Sequence, residues 1–336
     1  MSEIKNEIIL FGGLGYVGSG IIEYFNSKDI NVSVIDNNIY GKNIIKTDGN
    51  QYIFADTRNI NLLSDYDYSD KYVVVLSGLV GDPITSKYPE LSIEINETSL
   101  IKLINTIKNF KKLIFISTCS NYGLSSADNV LDETADLNPI SIYSKSKVAV
   151  ENYLINSNIN YTILRFATAF GHSSNMRFDL TLNEFTAKQY FDKYLEVYDY
   201  ETYRPYCHIK DFAQAILKVI NCDDEITKQE IFNVGSNENN ISKVNLISLI
   251  AENLESSNYK LIDDSKDRRN YVVNFSKVES VLEFRSSYTI EDGIKEIISK
   301  LEINEYGLDE NFDLLNNYYG NYSIPKSTGW KTFIIF

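Results

Sequence analysis

An α/β fold is what the sequence predicts: a doubly wound parallel sheet with a smaller C-terminal α/β lobe. Three observations point to it. Short apolar runs alternate with amphipathic helical stretches, a glycine-spaced turn follows the first run, and an aspartate closes the second. Residues 7–11 form the first apolar run, followed by Gly12-Gly-Leu-Gly15-Tyr-Val-Gly18 and a helix with Val17, Ile21, Tyr24 and Phe25 on one face. Strand, glycine turn and helix in that order are the Rossmann-type arrangement. Gly12 allows the tight turn, Gly15 lets backbone N–H groups approach a pyrophosphate, and Gly18 lets the helix pack on the strand. The second run, 31–36, ends in Asp36, about twenty residues on, where a carboxylate accepts from both ribose hydroxyls and repels a 2′-phosphate. The cofactor expected is therefore NAD rather than NADP.

The alternation continues through runs 51–56 and 72–77, a helix striped with Leu100, Leu103, Ile104 and Ile107, and runs 113–117 and 161–166. Asp56, just past its strand, is placed to take an adenine amino group. Tyr16, Val17, Asn37, Thr57, Ser77 and Gly78 are assigned to the same cofactor wall. The chain has 336 residues, beyond the ~250–300 at which a single core stops growing, so two lobes are expected. Their expected bounds are 1–171 for the cofactor domain, with 207–236 returning to it, and 172–206 with 237–336 for the substrate lobe. In the segment that returns to the cofactor domain, a helix starting near Asp211 carries Phe212, Ala215, Ile216 and Val219, with Asp211 as its cap. Helices at 242–254 and 289–301 open on capping residues. His208 reads as a buried structural histidine.

Composition narrows the partners. A net charge of −14 disfavours nucleic acid and anionic lipid, so an anionic ligand needs a local cluster of arginines and helix N-termini. No membrane-spanning run and no secretory leader is read, and three unpaired cysteines suit a reducing, cytoplasmic setting. With two histidines, no metal site is expected.

The chemistry is expected in residues 113–147. Tyr143 and Lys147 stand four apart on a helix read at 143–157, hence on one face, and an ammonium beside a phenol favours the phenolate. A phenolate takes the proton from a substrate hydroxyl as hydride leaves the same carbon. Thr118, at the end of a buried strand, reaches the same hydroxyl. A Tyr-x-x-x-Lys pair alone is a weak signal, and its weight here comes from Thr118 and the glycine turn.

Taken together, these residues resemble the extended short-chain dehydrogenase/reductases that act on nucleotide sugars. The resemblance also covers Leu164-Arg-Phe166 leading to Phe170-Gly171, Arg204-Pro-Tyr-Cys-His208, Phe232-Asn-Val-Gly235 and Asp267-Arg-Arg-Asn-Tyr271. It implies Tyr143 as base, Lys147 also gripping the nicotinamide ribose, and Thr118 orienting the sugar hydroxyl. It further implies that Arg204 and Arg269 hold the substrate diphosphate, with Asn183 as a phosphate-contacting amide. Arg177 is carried as a further substrate residue, against its reading as a surface ion pair. The resemblance also implies a homodimer or homotetramer.

Dehydratases of that family carry Asp-Glu directly after the threonine; this chain has Cys119-Ser120, which leaves dehydration without its acid and base. Cys119 and His172 miss by one residue the positions used by the epimerase-reductases that make GDP-fucose. Ser77-Gly-Leu-Val-Gly-Asp-Pro83, Ser117-Thr-Cys-Ser-Asn-Tyr-Gly123 and Leu164-Arg-Phe-Ala-Thr-Ala-Phe-Gly171, followed by Met176-Arg-Phe-Asp-Leu180, resemble the GDP-heptose 4-dehydrogenases of bacterial capsule biosynthesis. The expected reaction is NAD-dependent oxidation at C4 of a GDP-linked heptose. The alternatives are a nucleotide-sugar 4-epimerase and a non-catalytic NAD(H)-binding regulator.

Overall fold

The computed structural model describes residues 7–40, 49–125, 129–255, 258–263, 269–309 and 320–324. The Met1 end, the string 330–336, and Asp267 with Arg268 lie outside the described residues. Its central layer is a parallel sheet of seven strands. Five are β1 (Ile8–Phe11), β2 (Val32–Asp36), β3 (Gln51–Phe54), β4 (Tyr72–Val75) and β5 (Lys112–Thr118). Across the sheet the order is Glu230–Val234, Tyr161–Phe166, β5, β4, β1, β2, β3. The chain starts in the middle at β1, winds outward through β2 to β3, then returns to lay β4 on the other side of β1. That reversal opens a crevice at the carboxyl ends of β1 and β4.

Both faces of the sheet are covered, which is why its strands read as continuous apolar runs. Ile8 and Leu10 point into a core with Ile21 and Phe25 of helix α1 (Tyr16–Asn26) and with Phe212 and Ile216 of helix Ile209–Asn221. Ile9 and Phe11 point to the opposite core, with Leu100, Leu103 and Ile104 of helix Ser99–Thr106 and Val150 and Leu154 of helix Ile142–Ile155. A third core, of Phe170, Phe178, Leu182, Leu246, Ile250, Ile294 and Ile297, lies beside a small sheet of Asn240–Ser242, Tyr203–His208 and Thr168–Phe170. Helices Lys243–Leu254 and Ile290–Glu302 are capped by Ser242 and Thr289, the latter in a full capping box with Asp292. Among the described residues no helix is long and apolar enough to cross a membrane.

One cap differs from expectation. The helix expected near Asp211 starts at Ile209, and its cap is His208, whose Nδ1 accepts from the Lys210 N–H at 3.2 Å. The buried His208 ring also meets Glu296 through Nε2 at 2.8 Å and stacks on Tyr288. Asp211 sits inside the first turn and instead accepts from Ser286 Oγ and from the N–H groups of Ser287 and Tyr288. A carboxylate one turn along reaches across to a neighbouring segment more readily than back to its own helix end.

The Tyr143 helix, Ile142–Ile155, is capped by Ser141, which accepts from the Ser144 N–H. It is locked to the sheet by a buried ion pair. Glu151, fully buried, receives Arg165 Nη2 at 2.7 Å and Nε at 3.1 Å, with Asn121 Nδ2 at 2.9 Å and the Ser117 hydroxyl as further donors. The pair links that helix to β5 and to Tyr161–Phe166 at once. Truncating one partner strands a buried charge, so Glu151→Ala should lose about 3–5 kcal/mol in urea unfolding. A loss under about 1 kcal/mol would show that the pair does not hold the helix.

Candidate active site

A cleft of about 430 Å³ opens at the carboxyl ends of β1, β2, β4 and β5. Its first wall is the glycine turn. Gly12 has φ +84°, and a Cβ there would lie 2.6 Å from the backbone N and Cα of Ser77, so the turn and the end of β4 touch without side chains between them. Gly15 is the N-cap of α1 and brings no side chain to it, which leaves the first-turn amides at Tyr16 and Val17 beside the cleft. A Cβ at Gly18 would lie 2.6 Å from the Gly13 backbone, so a glycine there lets α1 pack against the turn that follows β1.

Asp36 closes the second wall. Its Oδ2 accepts from the Leu14 N–H at 3.0 Å and its Oδ1 from the Asn38 N–H at 2.7 Å, so the carboxylate also pins the glycine turn. Burial pushes this carboxyl up, against those hydrogen bonds. Asn37 and Thr57 line the same wall, Asn37 donating to Asp56 Oδ2 at 3.1 Å. Asp56 departs from expectation. Its oxygens are taken by Arg58 at 2.8 and 3.0 Å and by Asn37; burial would raise this carboxyl, but Arg58 holds it below the ordinary range. Ser77 presents a buried hydroxyl with no partner among the described residues. Next to it, Gly78 lies against Asn96, whose amide grips Leu79 N–H and C=O at 2.7 and 2.8 Å. The glycine cradle, the exposed helix start, Asp36 and an unpartnered hydroxyl are the donor and acceptor set that a dinucleotide fits.

Thr118, Tyr143 and Lys147 meet in this cleft. Thr118 Oγ1 lies 2.8 Å from Ser120 Oγ and accepts the Ser120 N–H at 3.1 Å. Lys147 runs beneath Tyr143, its Nζ 5.9 Å from the ring centroid, and donates to the Ile116 carbonyl at 2.8 Å. The electrostatics differ from those expected. Burial pushes the Tyr143 phenol up; the charges acting on it are Arg177, which lowers it, and Asp82, which raises it. Burial also pushes Lys147 down to about 8, opposed by Glu151. Sharing a helix face set the two side chains one turn apart, but the lysine is turned toward a backbone carbonyl rather than toward the phenol oxygen.

Three arginines, Arg177, Arg204 and Arg269, also line the cleft. Arg204 is buried, its guanidinium 5.2 Å from the Tyr271 ring centroid, with Nη1 donating to the carbonyls of Tyr203 and Arg269. Arg269 pairs with Asp82 at 2.7 Å. Arg177, carried as a substrate residue against a surface ion pair, lines the cleft and is a buried ion pair, gripping Asp179 through Nε at 2.8 Å and Nη2 at 2.6 Å. Asn183 is not on the cleft wall. It is fully buried, its Nδ2 donating to Tyr16 Oη and the Arg177 carbonyl and its Oδ1 accepting from the Gly171 N–H. An amide so committed ties its helix to the glycine turn and has nothing left for a phosphate.

Cys119 and His172 do not line the cleft either. The Cys119 thiol donates to the Arg165 carbonyl at 3.1 Å and burial pushes it up, while His172 Nδ1 meets Tyr306 Oη at 2.9 Å. Ser120, at the position where the resemblance puts a dehydratase carboxyl group, lines the cleft as a hydroxyl beside Thr118. Asp82, Asn96 and Asn321 reach or support the cleft and escaped sequence reading. The loop string Ser77–Pro83 was a signal for Asp82; nothing local marks the other two.

Lys147 is held near 8, below its ordinary 10.5, so between those values the unfolded chain binds the proton more tightly than the folded one. Stability of the cofactor-free protein therefore gains from this group as pH rises from about 8 toward 10.5. Measured by thermal unfolding, any advantage of Lys147→Met over the wild type should shrink across that window. A difference independent of pH would contradict the shifted lysine.

Comparison with known proteins agrees with this geometry. A curated relative, a putative UDP-glucose 4-epimerase of Methanocaldococcus jannaschii, is 24% identical over 312 residues, covering 88% of this chain and 99% of the relative. The UDP-glucose 4-epimerase of Thermotoga maritima with UDP-glucose superposes with a TM-score of 0.77 at 21% identity, covering 89% of this chain and 99% of that one. The dTDP-glucose 4,6-dehydratase of Bacillus anthracis in complex with NAD gives a TM-score of 0.76 at 21% identity, covering 90% and 98%. These likenesses show the fold. The family model for the NAD dependent epimerase/dehydratase family matches residues 8–235, from β1 past the last strand of the large sheet. With that match over more than half of its length, the chain belongs to the NAD dependent epimerase/dehydratase family, and NAD is its cofactor.

Proposed function

We propose that the protein oxidises the C4 hydroxyl of a nucleotide-activated sugar and reduces the resulting ketone from the opposite face, a 4-epimerisation. The observation that carries this reading is the meeting of Thr118, Tyr143 and Lys147 in one cleft with the glycine turn and three arginines, Arg177, Arg204 and Arg269, with no carboxyl at Cys119 or Ser120. NAD, when bound, supplies the acceptor and donor of hydride. Thr118 Oγ1 holds the sugar hydroxyl, and Tyr143 takes its proton as the C–H bond breaks and returns one when the bond re-forms. Lys147 is placed to leave the Ile116 carbonyl for a ribose hydroxyl, which brings its ammonium nearer the phenol and lowers it. Arg204 and Arg269 are suited to a diphosphate, because a guanidinium fork makes paired charge-assisted bonds.

Epimerisation is favoured over net oxidation because the relatives of Methanocaldococcus jannaschii, Lacticaseibacillus casei and Mycoplasma pneumoniae carry the name UDP-glucose 4-epimerase. Those names also favour a UDP-linked sugar over the GDP-linked one expected from sequence. The second reading is 4-dehydrogenation of a GDP-linked heptose. It is supported by the strings at 77–83, 117–123 and 176–180.

Separate incubations with UDP-glucose and with GDP-heptose, each followed by mass spectrometry and NMR, separate the readings. Unchanged mass with inverted C4 supports the epimerase; loss of two hydrogens from GDP-heptose, with no epimer of any sugar, supports the dehydrogenase. Tyr143→Phe should lower turnover by about 10²–10⁴-fold while NAD still binds; a rate near wild type would remove Tyr143 as the base. Asp36→Asn keeps the acceptor for the Leu14 N–H but removes the charge, and should relax discrimination against NADP by about tenfold or more. An unchanged NAD/NADP ratio would contradict the placing of Asp36 at the ribose.

A further inference from the structure

The segment 320–324, far along the chain from every motif, returns to the cleft. Gly320 is buried, with no room for a side chain: a Cβ there would lie 2.4 Å from the Tyr322 ring and 3.1 Å from Asp179 Cβ. Ile324 packs on the small apolar cluster of Leu79, Ile84 and Ile95, behind the loop that follows β4. Between these anchors Asn321 spans the two walls. Its N–H donates to Asp179 Oδ2 at 3.3 Å, and its Nδ2 donates to the Val80 carbonyl at 2.9 Å. Asn321 thus joins the loop after β4 to the Arg177–Asp179 pair and lines the cleft with Asp82 and Tyr143.

The chemistry of the remaining atom decides what it can read. Val80 offers a carbonyl, so the amide nitrogen must face it and the orientation of the side chain is determined. That leaves Oδ1 as an acceptor, with no hydrogen-bond partner among the described residues. An acceptor repels a phosphate oxygen and takes a hydroxyl. The diphosphate has its own donors in Arg204 and Arg269, so the group left for Asn321 is the sugar.

We infer that Asn321 is a substrate-contacting, specificity-determining residue supplied by the C-terminal segment, its Oδ1 accepting a hydrogen bond from a hydroxyl of the glycosyl group. This rests on the nucleotide-sugar reading above. The test compares sugar-bearing and sugar-free ligands. Full-length, NAD-loaded protein is titrated calorimetrically with UDP and UDP-glucose, and with GDP and GDP-mannose. Asn321→Ala should weaken the preferred nucleotide sugar by up to about tenfold and leave its nucleoside diphosphate and NAD within about twofold. Ile324→Asp, which frees the segment without altering a cleft atom, should give the same pattern, with the thermal unfolding midpoint of each variant reporting that the fold survives. Equal weakening of UDP and UDP-glucose would make the segment a mere strap and overturn the inference, as would no weakening of either. If the wild type binds a nucleoside diphosphate but gains nothing from its sugar, the inference fails while the nucleotide reading stands. If it binds neither nucleotide, with or without sugar, the proposed function falls first.

Discussion

The buried pair between Glu151 and Arg165 is the interaction on which the site's geometry depends. Two opposite charges taken out of water are costly, and the cost is offset only where further hydrogen bonds satisfy the remaining atoms. Here Ser117 and Asn121 both donate to the same carboxylate, and Arg165 also reaches Tyr122 Oη at 3.2 Å. Ser117 lies next to Thr118 on β5, and Glu151 lies one turn beyond Lys147 on the next helix. The network therefore sets the register between the two elements that carry Thr118 and the Tyr143–Lys147 pair. A helix packed by apolar contacts alone could slide by a fraction of a turn; one locked to a charge at the strand end cannot.

A second constraint is the pairing of charge within the cleft. Arg177 is held by Asp179, Arg269 by Asp82 and Arg58 by Asp56, in a chain whose net charge is −14. An anionic ligand must compete with these carboxylates for the arginines. Arg269–Asp82 is the more solvated of the two pairs whose arginines line the cleft, so it yields to a phosphate at lower cost than the buried Arg177–Asp179. Without a ligand, burial acts on both Tyr143 and Lys147 toward their neutral forms, raising the phenol and lowering the ammonium. Ligands that add polar groups and bring the lysine toward the phenol change that balance.

The parts legible in the sequence are those written in short-range patterns. Apolar runs of strand length, the glycine spacing and capping serines and threonines gave six of the seven strands of the parallel sheet and the bounds of the helices read at 143–157, 242–254 and 289–301 to within two residues. Thr118, Tyr143 and Lys147 were legible because their spacing places them on a strand end and on one helix face. Two misreadings share a cause. Asn183 and Asp211 were judged by position alone, and each side chain is committed to a partner from a distant segment: Asn183 to Tyr16, Asp211 to Ser286.

Sequence by itself determined the fold class, the cofactor and three side chains, Thr118, Tyr143 and Lys147, that share the cleft, because periodicity, glycine spacing and i,i+4 placement are local properties of the chain. Tertiary structure alone decided that Glu151 would lock the Tyr143 helix, that Arg177 would be buried against Asp179, and that Asn321 would close the cleft. Each of these depends on contacts or burial set by segments brought together only when the sheet is wound, with Asn321 lying 241 residues from its partner Val80.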